Sequence, residues 1–455
     1  INGLVTGERK TKQERVIKKM EIASRLVSII SKKTIKPFSP TPSTKILHKL
    51  CIPGQAFTLN YIPLVLFYPQ KPNIGPKHLS KFLEISLSKT LASYYPWAGG
   101  LKDNSTVECN DSGAEFLEVQ VNSSMDEVLH HSNSRIKDIA TFPQGVPWAL
   151  DCMGPPHRAL ATAQLSHFEC GGIAISVCLS HKVADGCSVY EFLRDWAALT
   201  RYPNNIVQSP YFVQDSILPS PPDVGPFVSP VSKKNQECVE KTFVFSPSKL
   251  RALKALVESE RIVQRPSRNE VVNALVYKCA ANAASSARPH QLVQYMNIRE
   301  SISPPLPPTS IGNILTVFST PVHKGDIMIA KVIADARKSR NNTLMHIKEH
   351  NEWVYDILHA YRTGKRTFQQ RNCDVYISTS LCKYPFTKLD FGWGKPSRAR
   401  LGGHSISKFF ALMDTHDGGI HASVHLTEKE MSVFENDNYL LQFATPSTAR
   451  DRIKI

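Results

Sequence analysis

No apolar run in the 455-residue chain approaches the roughly 18 residues that a helix needs to cross a bilayer, and even the stretch from Tyr61 to Tyr68 is interrupted by Pro63. An integral membrane protein is not expected. The N-terminal residues also lack a secretory signal: they are basic, and their one apolar stretch, Ile22 to Ile30, is broken by Arg25 and two serines. Ten cysteines are present, but there is no C-x-x-C pair and no Cys/His cluster at zinc spacing, which excludes a disulfide framework and a structural metal. Reduced thiols, no metal and a cytoplasmic location are the expectations. Internal repeats and low-complexity tracts are absent, which removes solenoids and propellers. Covalent serine and nucleotide chemistry lose support as well. Gly186-Cys187-Ser188-Val189-Tyr190 lacks the second glycine of a nucleophile elbow, and neither a Walker nor a dinucleotide fingerprint occurs.

What is present is an ordinary globular composition, 42% hydrophobic and 21% charged, in a chain long enough for two domains. The formal charge is +16. Residues 1–19 supply six Lys/Arg against Glu8 and Glu14, leaving about +12 for the rest. These residues read as an extension or an artificial leader, since Met20 opens a more ordinary sequence. A basic remainder permits an anionic partner, but no nucleic-acid motif is visible and the aromatics are not interleaved with Lys/Arg for base stacking. The partners expected are small molecules.

The sharpest change in composition runs from 201 to 237, where seven prolines (Pro203, Pro210, Pro219, Pro221, Pro222, Pro226 and Pro230) favour extended backbone. That segment reads as a crossover linker between an N-terminal domain, 20–200, and a C-terminal domain, 238–455. In the first, Leu79, Phe82, Leu83, Leu87, Leu91 and Tyr94 recur at helical spacing, and Pro96 ends the helix. Thr106–Cys109 and Glu115–Val121 flank Asn110-Asp111-Ser112-Gly113, which predicts a hairpin. In the second, Lys241–Phe245 predicts a strand, with helices over 249–256 and 270–284. Strands and helices mix throughout, so the fold class is α/β or α+β with mixed sheets.

The chemistry concentrates between Gly172 and Trp196. Ile173, Ile175, Val177 and Leu179 alternate with small residues, as in a strand. Ser188-Val189-Tyr190-Glu191 has capping-box spacing, and Val189, Phe192, Leu193 and Trp196 then share a helical face. The turn between them, His181-Lys182-Val183-Ala184-Asp185-Gly186, puts a histidine at a strand end, where it could act as a general base near neutral pH. Gly186 is read as a position whose backbone a Cβ would resist. Of the sixteen histidines only His181 has Asp four residues on. Asp185 either orients the imidazole or turns away to pair with a distant arginine; the second is favoured, because the bend must be fixed for His181 to be placed. Cys187 is read as a small packing residue. Asp390-Phe391-Gly392-Trp393-Gly394 is an irregular turn followed by Lys395-Pro396, and in Asn297-Ile298-Arg299 the arginine is either the partner of Asp185 or solvated, with nothing local to decide between them.

Taken together, H-x-x-x-D-G, N-x-R and D-F-G-W-G in that order resemble the plant BAHD acyltransferases, from about Glu21 to the C-terminus. Supporting matches are Ser39-Pro40-Thr41-Pro42, Tyr95-Pro96-Trp97-Ala98-Gly99 and Phe168-Glu169-Cys170-Gly171-Gly172. Cys109–Val121, His167–Gly186 and Glu430–Glu435 are similar to the alkaloid O-acetyltransferase branch. The resemblance implies two chloramphenicol acetyltransferase-like domains with a solvent channel between them, and acyl transfer from a coenzyme A thioester to an alcohol or amine. It implies His181 as catalytic base, with no covalent intermediate. It also implies that Asp185 pairs with Arg299, that Asp185, Gly186, Arg299, Asp390, Gly392, Trp393 and Gly394 are structural supports, and that Lys254, Ser267 and Arg268 contact coenzyme A. A monomer with acetyl-CoA as co-substrate and an indole alkaloid as acceptor is the leading expectation. Malonyl or another acyl group, an amine acceptor, and a non-catalytic binding relative are the alternatives.

Departures from the family pattern fall at Gly100, at Ser380-Leu381-Cys382-Lys383, at Ser397-Arg398-Ala399-Arg400 and at His421-Ala422-Ser423. They concern the acceptor pocket more than the catalytic step. Arg398 and Arg400 are read as solvated.

Overall fold

A computed structural model of the chain describes residues 25–447 except 57–59, 70–74, 132–133, 144–158, 215–237, 285, 308, 350–371 and 403–406. The N-terminal extension and most of the Pro-rich segment lie outside the described residues. Strands long enough to define the two large sheets are β1 (Val27–Ile35), β2 (Tyr61–Tyr68), β3 (Ala114–Val121), β4 (Ala161–Phe168), β5 (Ile173–Ser180), β6 (Cys238–Phe245), β7 (His290–Asn297), β8 (Leu315–Ser319), β9 (Asp374–Ser380), β10 (Arg398–Leu401), β11 (Phe409–Asp414) and β12 (Ile420–Thr427). The first sheet has the order β1-β3-β4-β5-β2-β10, and the second runs β8-β7-β9-β11-β12-β6, closed at its far edge by Thr445–Pro446.

Both sheets are mixed: β3 and β4 are parallel, as are β7, β9 and β11, while the remaining neighbours are antiparallel. One strand breaks the division into halves. β10 comes from the second half of the chain yet pairs antiparallel with β2, placing Arg398 opposite Phe67 and Leu401 opposite Leu64.

The helices that position the site are α1 (Ile52–Ala56), α2 (Pro76–Ser93), α3 (Ser134–Thr141), α4 (Gly186–Arg201), α5 (Pro247–Ser259), α6 (Arg268–Asn282) and α7 (Ile329–Glu349). Helix α2 buries Leu79, Leu83, Leu87 and Leu91 against Phe192, Leu193 and Trp196 of α4 and the first sheet, while Phe82, expected on the same face, is exposed. The same core takes in Ile377, Phe409, Ala411 and Met413 of the second sheet, so the halves share apolar packing. On the second sheet's other face, Leu250, Leu253 and Val257 of α5 and Val271, Leu275 and Cys279 of α6 form a separate core.

The predicted hairpin is not formed. Thr106–Glu108 pairs with Leu47–Lys49 and Gly100–Leu101 in a small three-stranded sheet, whereas β3 pairs with β1 and β4. The turn chemistry itself is real: Asp111 and Gly113 have φ of 55° and 94°. It serves another purpose, because the Asp111 carboxylate accepts from Thr41 N and Thr41 Oγ1 at 2.8 and 2.6 Å and sends the chain out of one sheet into another.

Candidate active site at the junction of the halves

Strand β5 is buried along its whole length and delivers His181 at its end. The backbone there is held on both sides. The His181 N–H donates to Asn60 O at 2.7 Å, and the His181 carbonyl accepts from Asn313 Nδ2 at 2.8 Å. Burial drops the imidazole to about 4, opposed by the negative charge of Asp185, so the ring is neutral at pH 7.

The predicted capping box gives way to a different cap. Helix α4 starts at Gly186, and Asp185 is its N-cap, with Oδ1 accepting from Ser188 N at 2.9 Å. Ser188 therefore lies inside the first turn, and its hydroxyl donates to Gly312 O at 2.9 Å. The expectation for Gly186 is also corrected. Its φ is not left-handed, and a Cβ there would lie 2.4 Å from Leu381 Cδ2 at the tip of a side chain, which would have to move aside.

Asp185 is turned into a buried ion pair. Arg299 Nη1 donates to Oδ2 at 2.6 Å and Nη2 to Oδ1 at 3.0 Å, while Ile314 N–H adds a bond to Oδ2 at 3.0 Å. Burial alone would raise this carboxyl; the Arg299 guanidinium and the backbone donors outweigh it and hold Asp185 below the usual carboxylate range. Arg299 spends its other donors on Ser310 O and Gly312 O, at 3.1 and 3.2 Å. Gly312, Asn313 and Ile314 are thus stitched to the turn residue by residue. Asn313 is a positioning residue that sequence reasoning missed: a Gly-Asn pair signals only a turn, and nothing local shows that its amide will grip the carbonyl of a histidine 132 positions away.

Cys187 is buried, and burial pushes its thiol up to about 11, which suits packing and not nucleophilic attack. The Asp390–Gly394 loop sits apart from His181. Asp390 Oδ1 accepts from Gly392 N and Gly394 N at 2.8 and 3.0 Å, and Oδ2 pairs with Arg201 at the end of α4 at 2.7 Å. Phe391 packs edge-on to Trp196 and Tyr68, and Trp393 stacks on Phe391. The loop is a clasp from the second half onto the first, and Gly392 and Gly394, at φ of 115° and 104°, supply its left-handed bends.

A cavity of about 610 Å³ opens in the second half. Ser267 and Arg268 line it, as do Arg340, Lys383, Asn297 and Tyr384. Asn297 Oδ1 also accepts from Arg299 N at 3.0 Å, and Tyr384 stacks on Tyr190 of α4, so the cavity reaches the elements that carry the Asp185–Arg299 pair. His181 and Lys254 are not among its lining residues. Ser267 caps α6 in a capping box with Glu270, and Arg268 pairs with Asp414 at 3.0 Å.

The solvated reading of Arg400 is overturned. Because β10 crosses into the first sheet, Arg400 is buried, donating Nη1 to Asp138 of α3 at 2.7 Å and Nη2 to Glu240 of β6 at 2.6 Å.

A neutral histidine pinned at a strand end, a buried ion pair behind it and a basic cavity in the second half are carried on two mixed sheets, and similarity to known proteins gives their class, an acyltransferase of two-domain architecture. The sequence profile of the Transferase family matches residues 25–441, and the chain belongs to that family, among the plant BAHD acyltransferases. It is similar to Acyltransferase Pun1 of Capsicum frutescens, 42% identical over 438 residues covering 93% of this chain and 99% of the relative. It is 36% identical to the 17,18-epoxy-17-hydroxycur-19-ene N-malonyltransferase of Strychnos nux-vomica, with 94% and 93% covered. Deacetylvindoline O-acetyltransferase of Catharanthus roseus is 34% identical, with 91% and 97% covered. Among solved structures, vinorine synthase superposes with a TM-score of 0.76 at 29% identity, covering 90% of this chain and 96% of that one.

Proposed function

We propose that the protein transfers an acetyl group from acetyl-CoA to a hydroxyl of a plant indole alkaloid, with His181 as general base. The observation that carries this reading is the neutral imidazole, fixed through its own backbone by Asn60 and Asn313 at the junction of the halves. The acceptor oxygen attacks the thioester carbonyl as its proton passes to His181. The tetrahedral oxyanion then collapses, the carbon–sulfur bond breaks, and the imidazolium protonates the departing thiolate, leaving ester and free coenzyme A. The channel between the halves that the family resemblance implies would hold both substrates in line and keep water from the thioester.

In this reading Ser267 and Arg268 take the donor at the basic cavity, with Lys254 as an outer contact. The alkaloid acceptor is carried over from the deacetylvindoline relative. The N-malonyltransferase relative favours a second reading, malonyl transfer to an amine, at the same site. A cytoplasmic monomer belongs to the proposal and is checked by gel filtration and by a fluorescent fusion. Purified protein is incubated with acetyl-CoA and hydroxylated indole alkaloids while free thiol and product mass are followed. A gain of one acetyl unit is expected, with turnover down by about 10³-fold or more in a folded His181→Ala. Full activity in that variant removes the mechanism, and product only with malonyl-CoA moves the reading to the second donor.

A further inference from the structure

Immediately after His181, Lys182 is buried at 4% exposure. Its ammonium has oxygen neighbours on several sides, namely Gly54 O and Gln55 O at 3.3 Å, Asn104 O at 3.4 Å and Asn104 Oδ1 at 2.8 Å. All of them are neutral. A buried cation normally sits against a carboxylate. Here the acceptors are carbonyls at the end of the short helix α1, left open by its termination, and the turn between Leu101 and Thr106.

We propose that Lys182 is a positioning residue for the reaction, whose caged ammonium locks α1 and the Asn104 turn against the peptide that carries His181. This rests on the reading of His181 as general base. Other contacts tie the same pieces together. Asn313 Nδ2 reaches both His181 O and Pro53 O, at 2.8 and 3.4 Å, so α1 and the histidine share one amide. Gly54 lets the two backbones meet, since a Cβ there would lie 2.5 Å from Lys182 O. Asn104 Nδ2 returns a bond to Gln55 O at 3.4 Å, and Gln55 Nε2 holds Leu50 O at 2.7 Å. Removing the ammonium leaves these acceptors facing an apolar gap and frees α1 to shift by a fraction of an ångström, which is enough to misplace a proton acceptor.

The cage is also sensitive to alkali. Burial brings the Lys182 ammonium down to about 8, so it is charged below that pH and loses its proton as pH rises through it. Burial is the cause of that shift, and no charged side chain contributes to it; the titratable groups on the elements packed around it are Cys51 beside α1, exposed Lys102 and Asp103 in the Asn104 turn, and His181 and Asp185 on its own turn. Cys51 is pushed up to about 11 by burial, His181 is held at about 4, and Asp185 lies below the carboxylate range.

The test uses full-length Lys182→Met and Asn104→Ala. It reads acetyl-CoA turnover with the hydroxylated alkaloid and the His181 ring signal of ¹³C-histidine-labelled protein, assigned by its loss in His181→Ala. Lys182→Met is expected to keep its circular dichroism spectrum and lose about tenfold in kcat, with KM for acetyl-CoA changed by less than about twofold. Its His181 signal should broaden or double. Asn104→Ala should move both readouts the same way by less. Wild-type kcat should fall above about pH 8, and that limb should be missing from Lys182→Met. An unchanged signal and unchanged kcat per folded molecule in Lys182→Met overturn the proposal, even if the variant melts earlier. If Lys182→Met does not fold, an unchanged signal in Asn104→Ala overturns it. Absence of transfer in wild type defeats the proposed function instead, and the ring signal still decides the role of Lys182.

Discussion

Two buried arginines bridge the halves of this molecule, and they do so in different company. Arg299 meets one carboxylate, Asp185, and uses its remaining donors on neutral oxygens beside the His181 turn, the carbonyls of Ser310 and Gly312 and the side chains of Asn297 and Ser188. Arg400 is shared between Asp138 and Glu240, with Ser423 Oγ donating to Glu240 at 2.6 Å, on a face of the first sheet that carries no part of the His181 turn. The first bridge sets the shape of a site. The second fixes how a transplanted strand sits between α3 and β6. Equal burial therefore does not mean equal consequence for activity.

The largest effect is expected at the first bridge. Arg299→Ala leaves the Asp185 charge buried without its partner, which should cost about 3–5 kcal/mol of stability and nearly all turnover; urea unfolding and a kinetic assay on the folded fraction measure both. The second bridge should behave otherwise. Replacing Arg400, Asp138 and Glu240 together by Met, Leu and Leu removes the bridge's three charges at once and leaves Lys137 and Arg398 beside it, and stability should stay within about 2 kcal/mol of wild type with kcat retained. A loss of turnover as complete as that of Arg299→Ala would erase the distinction drawn between the bridges.

A smaller effect is expected in acid. Both Asp185 and Glu240 sit below the ordinary carboxylate range, Glu240 at about 2, where Arg400 outweighs the burial that would raise it. A carboxyl with a lowered folded value contributes stability that is present above its unfolded value near about 4 and is lost as pH falls through the folded one. The melting temperature should therefore drop between about pH 4 and pH 2, less steeply in Glu240→Gln.

The first bridge was partly legible in the sequence and the second was not. The change from strand period to helix period around His181 located a strand, a turn and a helix, and the need to fix that turn pointed Asp185 toward a distant arginine. Which arginine came from the family resemblance, since no local rule links positions 114 residues apart. Arg398-Ala-Arg400 looks like solvent-facing chain because its burial depends on a crossing between sheets that no local pattern records. The missed hairpin has the same origin: Asn110–Gly113 does turn the chain, but strand partners are chosen by the whole sheet. Asp185 as cap was hidden by a better-spaced Ser188–Glu191 pair, and Asn313 by having no periodic signature at all.

The crossing of β10 also sets an order of events during synthesis. Until residues 398–401 leave the ribosome, β2 is the rim of the first sheet, with its free hydrogen-bonding edge and apolar side chains open to whatever strand arrives. About half of the polypeptide must be made while that rim stays unguarded, so the nascent N-terminal half is a natural client for chaperones until a late segment of the same chain seals it.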